Sequence, residues 1–332
     1  MSLRVACLQL DPILKQPAKN IKRADELLES VERGSIDFLV LPEMAFTGYC
    51  FTSREDIAPY VEEVPAGKTT KWAMRTARKL GCYVQVGVPT LQPLTSFVPG
   101  SPSSSAPTPD DMYYNSVVLI SPDGKLVTTY HKHFLFETDK SWATPGKRFV
   151  SLDLPFPPSS SSSSLNEAPS NPSRTFKYAP AICMDLNAEA FDASLERLAF
   201  SHFATDEHVD LVCASNAWLD SDVARPPDDG AEAEDVREGI EDRERAHDEA
   251  GNAWDDVRGL VGYWVYRMST NLDDPGPAFV VANRIGKEGE SIFAGSSCIV
   301  ELGQRPTVIK HASKKKEELI VAEVRLARNG SR

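Results

Sequence analysis

The sequence predicts an α/β fold in which mixed sheets are covered by helices. Three observations lead there. Short, continuous apolar runs recur along the chain, as in "IDFLVLP", "TFKYAPAI" and "VDLVCAS". Such runs suit strands buried on both faces. Between them lie stretches whose apolar residues follow helical spacing. Where "YNSVVLI" and "KLVTTYHK" flank "SPDG", the turn residues join two strands as a hairpin. Strands alternating with helices, interrupted by hairpins, call for sheets that hold both parallel and antiparallel neighbours.

The elements follow in order. "LRVACLQL" (3–10) opens as a strand. Ile21, Ala24, Leu27, Leu28 and Val31 then trace a helical face that stops at Gly34. "IDFLVLPEM" begins as a strand, and a helix covers about Lys68 to Leu80, closed by Gly81. "CYVQVGVP" and the hairpin come next, then "TFKYAPAIC" and a helix from about Phe191 to Ala204. "VDLVCASNAW" is another apolar strand. Val257, Leu260, Val261, Trp264, Val265 and Met268 form one helical face. "PAFVVANRI", "GSSCIVEL" and "ELIVAEV" supply three late strands.

With 332 residues, 41% of them hydrophobic, the chain can bury a large core. It reads as one domain over 1–332 with loop insertions at 91–111, 157–173 and 220–252. The first two are rich in Pro and Ser and the third is acidic, and none has the apolar content to join a core. The stretch 222–256 carries 14 acidic and 4 basic residues, hence −10 of the net charge of −12, so the remainder is near balance. No basic stripe interleaved with aromatics points to nucleic acid. No apolar run is long enough to span a membrane. "MSLRVACLQLDP" lacks the basic start and apolar middle of a secretory signal. The six cysteines are scattered without a C-x-x-C pair, which suits a reducing compartment and thiols that mostly serve as small buried groups. A cytoplasmic location is expected, with the nucleus as the alternative.

Four polar groups stand just past apolar strands: Glu43, Lys132, Cys183 and Asn216. In open α/β sheets ligands bind beyond the carboxyl ends of strands, and four such ends can share one rim. The chemistry of Glu, Lys and Cys is complementary. A carboxylate can take the thiol proton, and an ammonium can stabilise the thiolate. A helix starting after Cys183 would add the positive end of its dipole and free N–H groups for an oxyanion. The set suits acyl transfer from an amide or nitrile carbon. Each residue also has a plain structural reading: Cys183 as a core thiol like Cys213, Glu43 as a turn residue, Lys132 as a strand-end charge. His131 and His133 form an H-x-H, yet no further ligand stands at a convincing spacing. Neither a metal nor another cofactor is expected.

Taken with "RVACLQLDP", "FLVLPEMAFTGY", "YHKHFLF", "ICMDLN", "VVANRIG" and "FAGSSC", the chain resembles the nitrilase superfamily of carbon–nitrogen hydrolases over nearly its whole length. The resemblance implies a four-layer αββα sandwich. It also implies Glu43 as general base, Lys132 as oxyanion stabiliser and Cys183 as nucleophile. Within that superfamily, "CMDLN", "YHKHFLFETD" and Trp142 are most similar to the fungal branch that deamidates N-terminal Asn or Gln of proteins to Asp or Glu. That implies ammonia release through a Cys thioester, feeding the N-degron pathway. Peptides or proteins with N-terminal Asn or Gln are then the expected partners, with no nucleic acid or membrane, for a monomer or homodimer. The sequence departs from the family at the second glutamate that follows the lysine motif. In "FETDKSWATPG" that place holds Lys140, leaving Glu137, or else Asp139, to serve.

An N-terminal substrate also needs a partner for its α-ammonium. Asp185, on the same side of an extended segment as Cys183, is the candidate, with a turn-capping aspartate as the alternative. Ser215, Asn216 and Trp218 are expected to line the pocket, although Trp218 could equally pack in the core. Two rival functions remain at this stage: a small-molecule amidase, carbamoylase or nitrilase, and an inactive protein that binds N-termini.

Overall fold

The computed structural model describes residues 1–92, 111–157, 174–187, 198–220, 253–268 and 276–326. Side-chain alternation decides how its layers stack. In β1 (Ser2–Gln9), Leu3, Val5 and Cys7 join one apolar cluster while Ala6 and Leu8 join another. Successive side chains of a strand face opposite ways, so a strand apolar at every position must have an apolar layer on both sides.

The first sheet is built from β1, β2 (Phe38–Val40), β3 (Tyr83–Gln92), β4 (Met112–Ile120) and β5 (Leu126–His131), with the short strand Glu62–Glu63 paired to the end of β3, and is completed by the last strand of the chain. The second sheet contains β6 (Leu152–Pro155), β7 (Thr175–Ile182), β8 (Leu211–Asn216), β9 (Ala278–Asn283), β10 (Cys298–Glu301) and β11 (Thr307–His311). The last strand is β12 (Glu318–Arg325). The orders are β12-β1-β2-β3-β4-β5 and β11-β10-β9-β8-β7-β6. β1, β2 and β3 run parallel, and β3, β4 and β5 form an antiparallel meander. β7, β8 and β9 run parallel at the centre of the second sheet.

Three apolar clusters fill the spaces between four layers. Leu3, Val5, Phe38 and Val40 of the first sheet meet Tyr178, Leu211, Cys213 and Val280 of the second. Outside the first sheet lie α1 (Pro17–Leu27) and α2 (Lys68–Leu80). They bury Ala24, Trp72, Ala73, Ala77 and Leu80 against Leu39, Val84 and Val86. Trp72 is fully buried, meets Phe46 edge to face with centroids 4.8 Å apart, and donates to Asp25 at 2.7 Å. Burying one side chain of this kind contributes about 1.5–3 kcal/mol. The outer face of the second sheet carries α4 (Ala199–Asp206) and α5 (Ala253–Arg267). Phe200, Ala204, Val257, Val261 and Trp264 fill that space. The expected αββα sandwich is the observed architecture.

Polar links across the inner layer align the two sheets. Gln85 Nε2 donates to the Cys213 carbonyl (3.2 Å) and to Ser215 Oγ (2.9 Å), and Tyr178 donates its hydroxyl to Gln85 Oε1 at 2.5 Å. Ser215 Oγ in turn donates to the Leu41 carbonyl at 2.7 Å. These bonds set the end of β2 beside the end of β8.

Several expected boundaries shift. α2 ends as predicted, with Gly81 at φ +73° donating to Ala77, where a side chain would be strained. α1 stops at Leu27, short of Val31. The helix expected from about 191 begins, within the described residues, at Ala199 and continues to Asp206; residues 188–197 lie outside them. The insertions at 91–111, 157–173 and 220–252 also lie outside the described residues except at their edges. Leu91 and Gln92 belong to β3 and pair with Tyr113 and Met112. β6 and β11 were not expected from the sequence. Both are edge strands: β11 is mostly exposed, and in β6 buried Leu154 and half-buried Leu152 alternate with exposed Asp153 and Pro155, so neither shows a continuous apolar run.

Candidate active site

The parallel arrangement sends the carboxyl ends of β2, β3 and β5 to one rim of the first sheet and those of β7, β8 and β9 to one rim of the second. The two rims meet. Glu43 stands three residues past β2, Lys132 directly past β5, and Cys183 directly past β7. Glu43 and Lys132 are fully buried and Cys183 is 7% exposed.

Lys132 Nζ donates to Glu43 Oε1 at 2.7 Å and to Asp139 Oδ2 at 2.5 Å. Asn115, on β4, donates from Nδ2 to the same two carboxylates, at 2.6 Å to Glu43 Oε1 and 3.0 Å to Asp139 Oδ1. Glu43 Oε2 accepts the backbone N–H of Ala217 at 2.9 Å. One ammonium and one amide thus clamp two carboxylates in a buried ring. Burial would depress the Lys132 pKa, but Asp139 and Glu43 outweigh it and keep the ammonium charged. Burial raises the Glu43 pKa, and the charge of Asp139 adds to that, against the pull of Lys132. A carboxyl tuned upward is a better carrier of a proton in both directions. Burial also raises the Cys183 pKa well above the ordinary thiol value, and Glu43 adds to the rise; Lys132 and the Ala217 amide oppose it. The shift favours the thiol form of the sulfur, near enough to Glu43 for the two groups to interact.

Two backbone conformations at the site are costly. Cys183 has φ +43° and Met44 has φ +51°, a region that non-glycine residues seldom occupy. Such strain clusters at functional sites. Gly87 shows how closely the backbone packs under Glu43. A Cβ there would lie 2.4 Å from the Pro42 carbonyl and 2.6 Å from the Glu43 Cα. Gly87→Ala is expected to push the Glu43 turn outward. It should cost about 1–3 kcal/mol by overpacking and lower kcat/KM by about 10–10²-fold through misplacement, measured by thermal unfolding and steady-state ammonia release.

The remaining expected residues take different places. Glu137 starts the one-turn helix α3 (Glu137–Lys140), is 75% exposed and pairs with Lys140 at 2.9 Å. Lys140 is exposed as well, so neither faces the ring. The carboxylate on Lys132 is Asp139, whose Oδ2 also accepts the Phe136 amide at 3.0 Å. This corrects the expectation for Glu137: in one turn of helix, residues two apart face different ways.

Asp185 is likewise not the free anchor expected for an α-ammonium. Its Oδ2 accepts from the Tyr130 hydroxyl (2.8 Å) and the Ile182 amide (2.9 Å), and its Oδ1 accepts from the His133 and Phe134 amides (both 3.0 Å). Burial raises its pKa, and these donors oppose the rise. Asp185 ties the turn bearing Lys132 to the turn bearing Cys183.

Asn216 accepts the Cys183 amide on Oδ1 at 3.0 Å. Trp218 is half-buried; it packs with Cys183, Tyr130 and Ile182 and meets Tyr263 and Trp264 at 5.7 and 5.9 Å between centroids. The helix expected directly after Cys183 is a 3-10 turn of four residues, Cys183–Leu186, so individual amides rather than a helix dipole are available there. His131 hydrogen-bonds Ser116 (2.7 Å) and His133 the Gly146 carbonyl (2.7 Å).

Sequence reasoning missed Asn115 and Tyr49. Asn115 had a signal, a lone amide inside the apolar strand "YNSVVLI". Tyr49, whose ring lies 5.7 Å from Lys132 Nζ, closes the motif "FLVLPEMAFTGY", but nothing in its spacing points it at the lysine. Its amide is held by Glu288 at 2.9 Å, and Glu288 is itself paired with buried Arg284.

A strand-end thiol beside a carboxylate that shares a buried ammonium can form and break an acyl–sulfur bond. Comparison with known proteins agrees with this chemistry. The carbon–nitrogen hydrolase family model matches residues 4–189. A protein N-terminal amidase of Schizosaccharomyces pombe is 33% identical over 335 residues, spanning 96% of this chain and 98% of the relative. Among solved structures, an N-terminal amidase with an Asn-Glu-Ala peptide superposes with a TM-score of 0.74 at 22% identity, covering 97% of each chain. Another with a Gln-Val peptide gives 0.73 at 21% identity, again over 97% of each. With the family model matched over more than half its length and a relative at 33% identity nearly end to end, this chain belongs to the carbon–nitrogen hydrolase family.

Proposed function

We propose that this protein hydrolyses the side-chain carboxamide of an N-terminal Asn or Gln, releasing ammonia and leaving Asp or Glu. The observation that carries the reaction is the buried Lys132–Glu43 contact of 2.7 Å beside the Cys183 thiol. The substrate class is supported by the end-to-end similarity to an N-terminal amidase and by the shared fold of amidases with Asn- and Gln-initiated peptides.

In this reading Glu43 takes the thiol proton as the sulfur attacks the carboxamide carbon. Lys132 and the Met184 backbone N–H receive the developing oxyanion. The carbon–nitrogen bond breaks, and the leaving nitrogen takes the proton from Glu43 and departs as ammonia. Water then adds to the thioester while Glu43 accepts its proton. The carbon–sulfur bond breaks, the proton returns to the Cys183 sulfur, and the carboxylic acid is released. Proton transfer through a positioned base contributes about 10²–10⁴-fold. Asp139 and Asn115 hold Lys132 and Glu43 in register through both halves. The product begins with an acidic residue and would enter the N-degron pathway, in the cytoplasm.

Mass spectrometry of peptides beginning with Asn or Gln, free or N-terminally acetylated, tests this. The expected result is replacement of the side-chain amide by a carboxyl at the first residue of the free peptides alone. Equal conversion of acetylated peptides, or of internal Asn, would count against recognition of the N-terminus.

A further inference from the structure

The tip of β8 carries contacts to both reacting partners on successive residues. Asn216 Oδ1 accepts the Cys183 amide at 3.0 Å, and the Ala217 amide donates to Glu43 Oε2 at 2.9 Å. The residue before them, Ser215, is fixed to the first sheet through the Leu41 carbonyl and Gln85. Asn216 is fully buried, and its Nδ2 has no hydrogen-bond partner among the described residues. A buried donor left unpaired is not favoured by stability alone, and turning the amide over would sacrifice the bond to Cys183. The amide that Asn216 holds belongs to a residue at φ +43°, a conformation that persists only where surrounding contacts impose it.

We propose that Asn216 is a positioning residue: its Oδ1 fixes the left-handed turn at Cys183 and so presents the sulfur to Glu43. The idea deepens the nucleophile role given to Cys183 and rests on it. Without the acceptor, the turn at Cys183 relaxes toward ordinary backbone conformations. The sulfur then swings away from a base that remains anchored by Ala217. Substrate contacts made elsewhere in the pocket are untouched, so the loss falls on the chemical step.

The test compares Asn216→Ala with Asn216→Asp. The aspartate keeps an oxygen acceptor at the same place, whether ionised or protonated. Two readouts are taken: kcat and KM for ammonia release from an Asn-initiated peptide, and the rate at which iodoacetamide alkylates Cys183 at neutral pH, located by peptide mapping. Asn216→Ala is expected to lower kcat by about 10²-fold, as for an angstrom-scale misplacement, with KM within about threefold. It should slow Cys183 alkylation by about tenfold. Asn216→Asp is expected to recover most of both rates. The proposal is overturned if Asn216→Ala keeps kcat and alkylation within about threefold of wild type, or if Asn216→Asp is as impaired as the alanine. Alkylation needs no substrate. A wild-type protein inactive on Asn-peptides would therefore sink the functional reading while the alkylation comparison still decides the role of Asn216.

Discussion

Cys183→Ala is expected to remove turnover while leaving the fold intact. Loss of the attacking group from a hydrolase of this kind lowers kcat by about 10⁴–10⁶-fold. The structural cost is small for three reasons. The sulfur rests as an uncharged thiol because burial and Glu43 raise its pKa, so its removal strands no charge. The backbone N–H that donates to Asn216 remains. Alanine accepts the φ of +43° no worse than cysteine does. A stability change of about 1 kcal/mol or less is expected, in line with deleting one buried heavy atom. Ammonia release and thermal unfolding measured on the same preparation check both halves. Turnover within about tenfold of wild type would remove Cys183 from the mechanism.

Lys132→Met should be damaging to both stability and rate. It deletes the only ammonium in contact with Glu43 and Asp139 among the described residues and leaves both carboxylates fully buried. Removing one partner of a buried pair costs about 3–5 kcal/mol. The effect depends on pH in a defined direction. Burial already raises the Glu43 pKa against the opposing pull of Lys132, and the variant loses that pull. A carboxyl whose folded-state pKa lies above its unfolded value favours the folded state when protonated. Its stabilising effect is present at low pH and is lost as pH rises through the folded pKa. The deficit of Lys132→Met should therefore shrink as pH falls toward the carboxylate range and widen toward neutrality. Urea unfolding at several pH values checks this, and a deficit that does not vary with pH would contradict it. The rate should fall by at least about 10²–10³-fold, the scale of losing an oxyanion donor. Adding Asp139→Asn to Lys132→Met removes one stranded carboxylate. It should restore part of the stability and none of the activity.

The sequence disclosed the frame of this site better than its lining. Glu43, Lys132 and Cys183 were legible because each interrupts an apolar run at its end, and strands buried on both faces place such interruptions on a common rim. The motif resemblance assigned their roles. The second carboxylate was not legible. "ETDK" makes a single helical turn, too short for any apolar period to show which side faces inward, so Glu137 and Asp139 are equivalent on paper. For Asp185 the sequence left two readings open, an anchor for the α-ammonium and a turn cap, and the 3-10 turn that folds it back onto four donors decides for the cap. Tyr49 depends on Glu288, some 240 residues away in sequence, a pairing that no local pattern records. The edge strands β6 and β11 escaped because each is covered on one face at most, and exposed residues interrupt whatever apolar pattern it has.

The proposed turnover passes through a covalent bond between Cys183 and the carbonyl carbon of the substrate side chain. Hydroxylamine, a stronger nucleophile than water, intercepts such a thioester, and mass spectrometry of the products reads the outcome directly. With wild-type protein and an Asn-initiated peptide, the first residue should emerge partly as the hydroxamate and partly as Asp, the hydroxamate share rising with hydroxylamine concentration, and Cys183→Ala should yield neither. Formation of Asp alone at every hydroxylamine concentration, or hydroxamate formation that persists in Cys183→Ala, would contradict it.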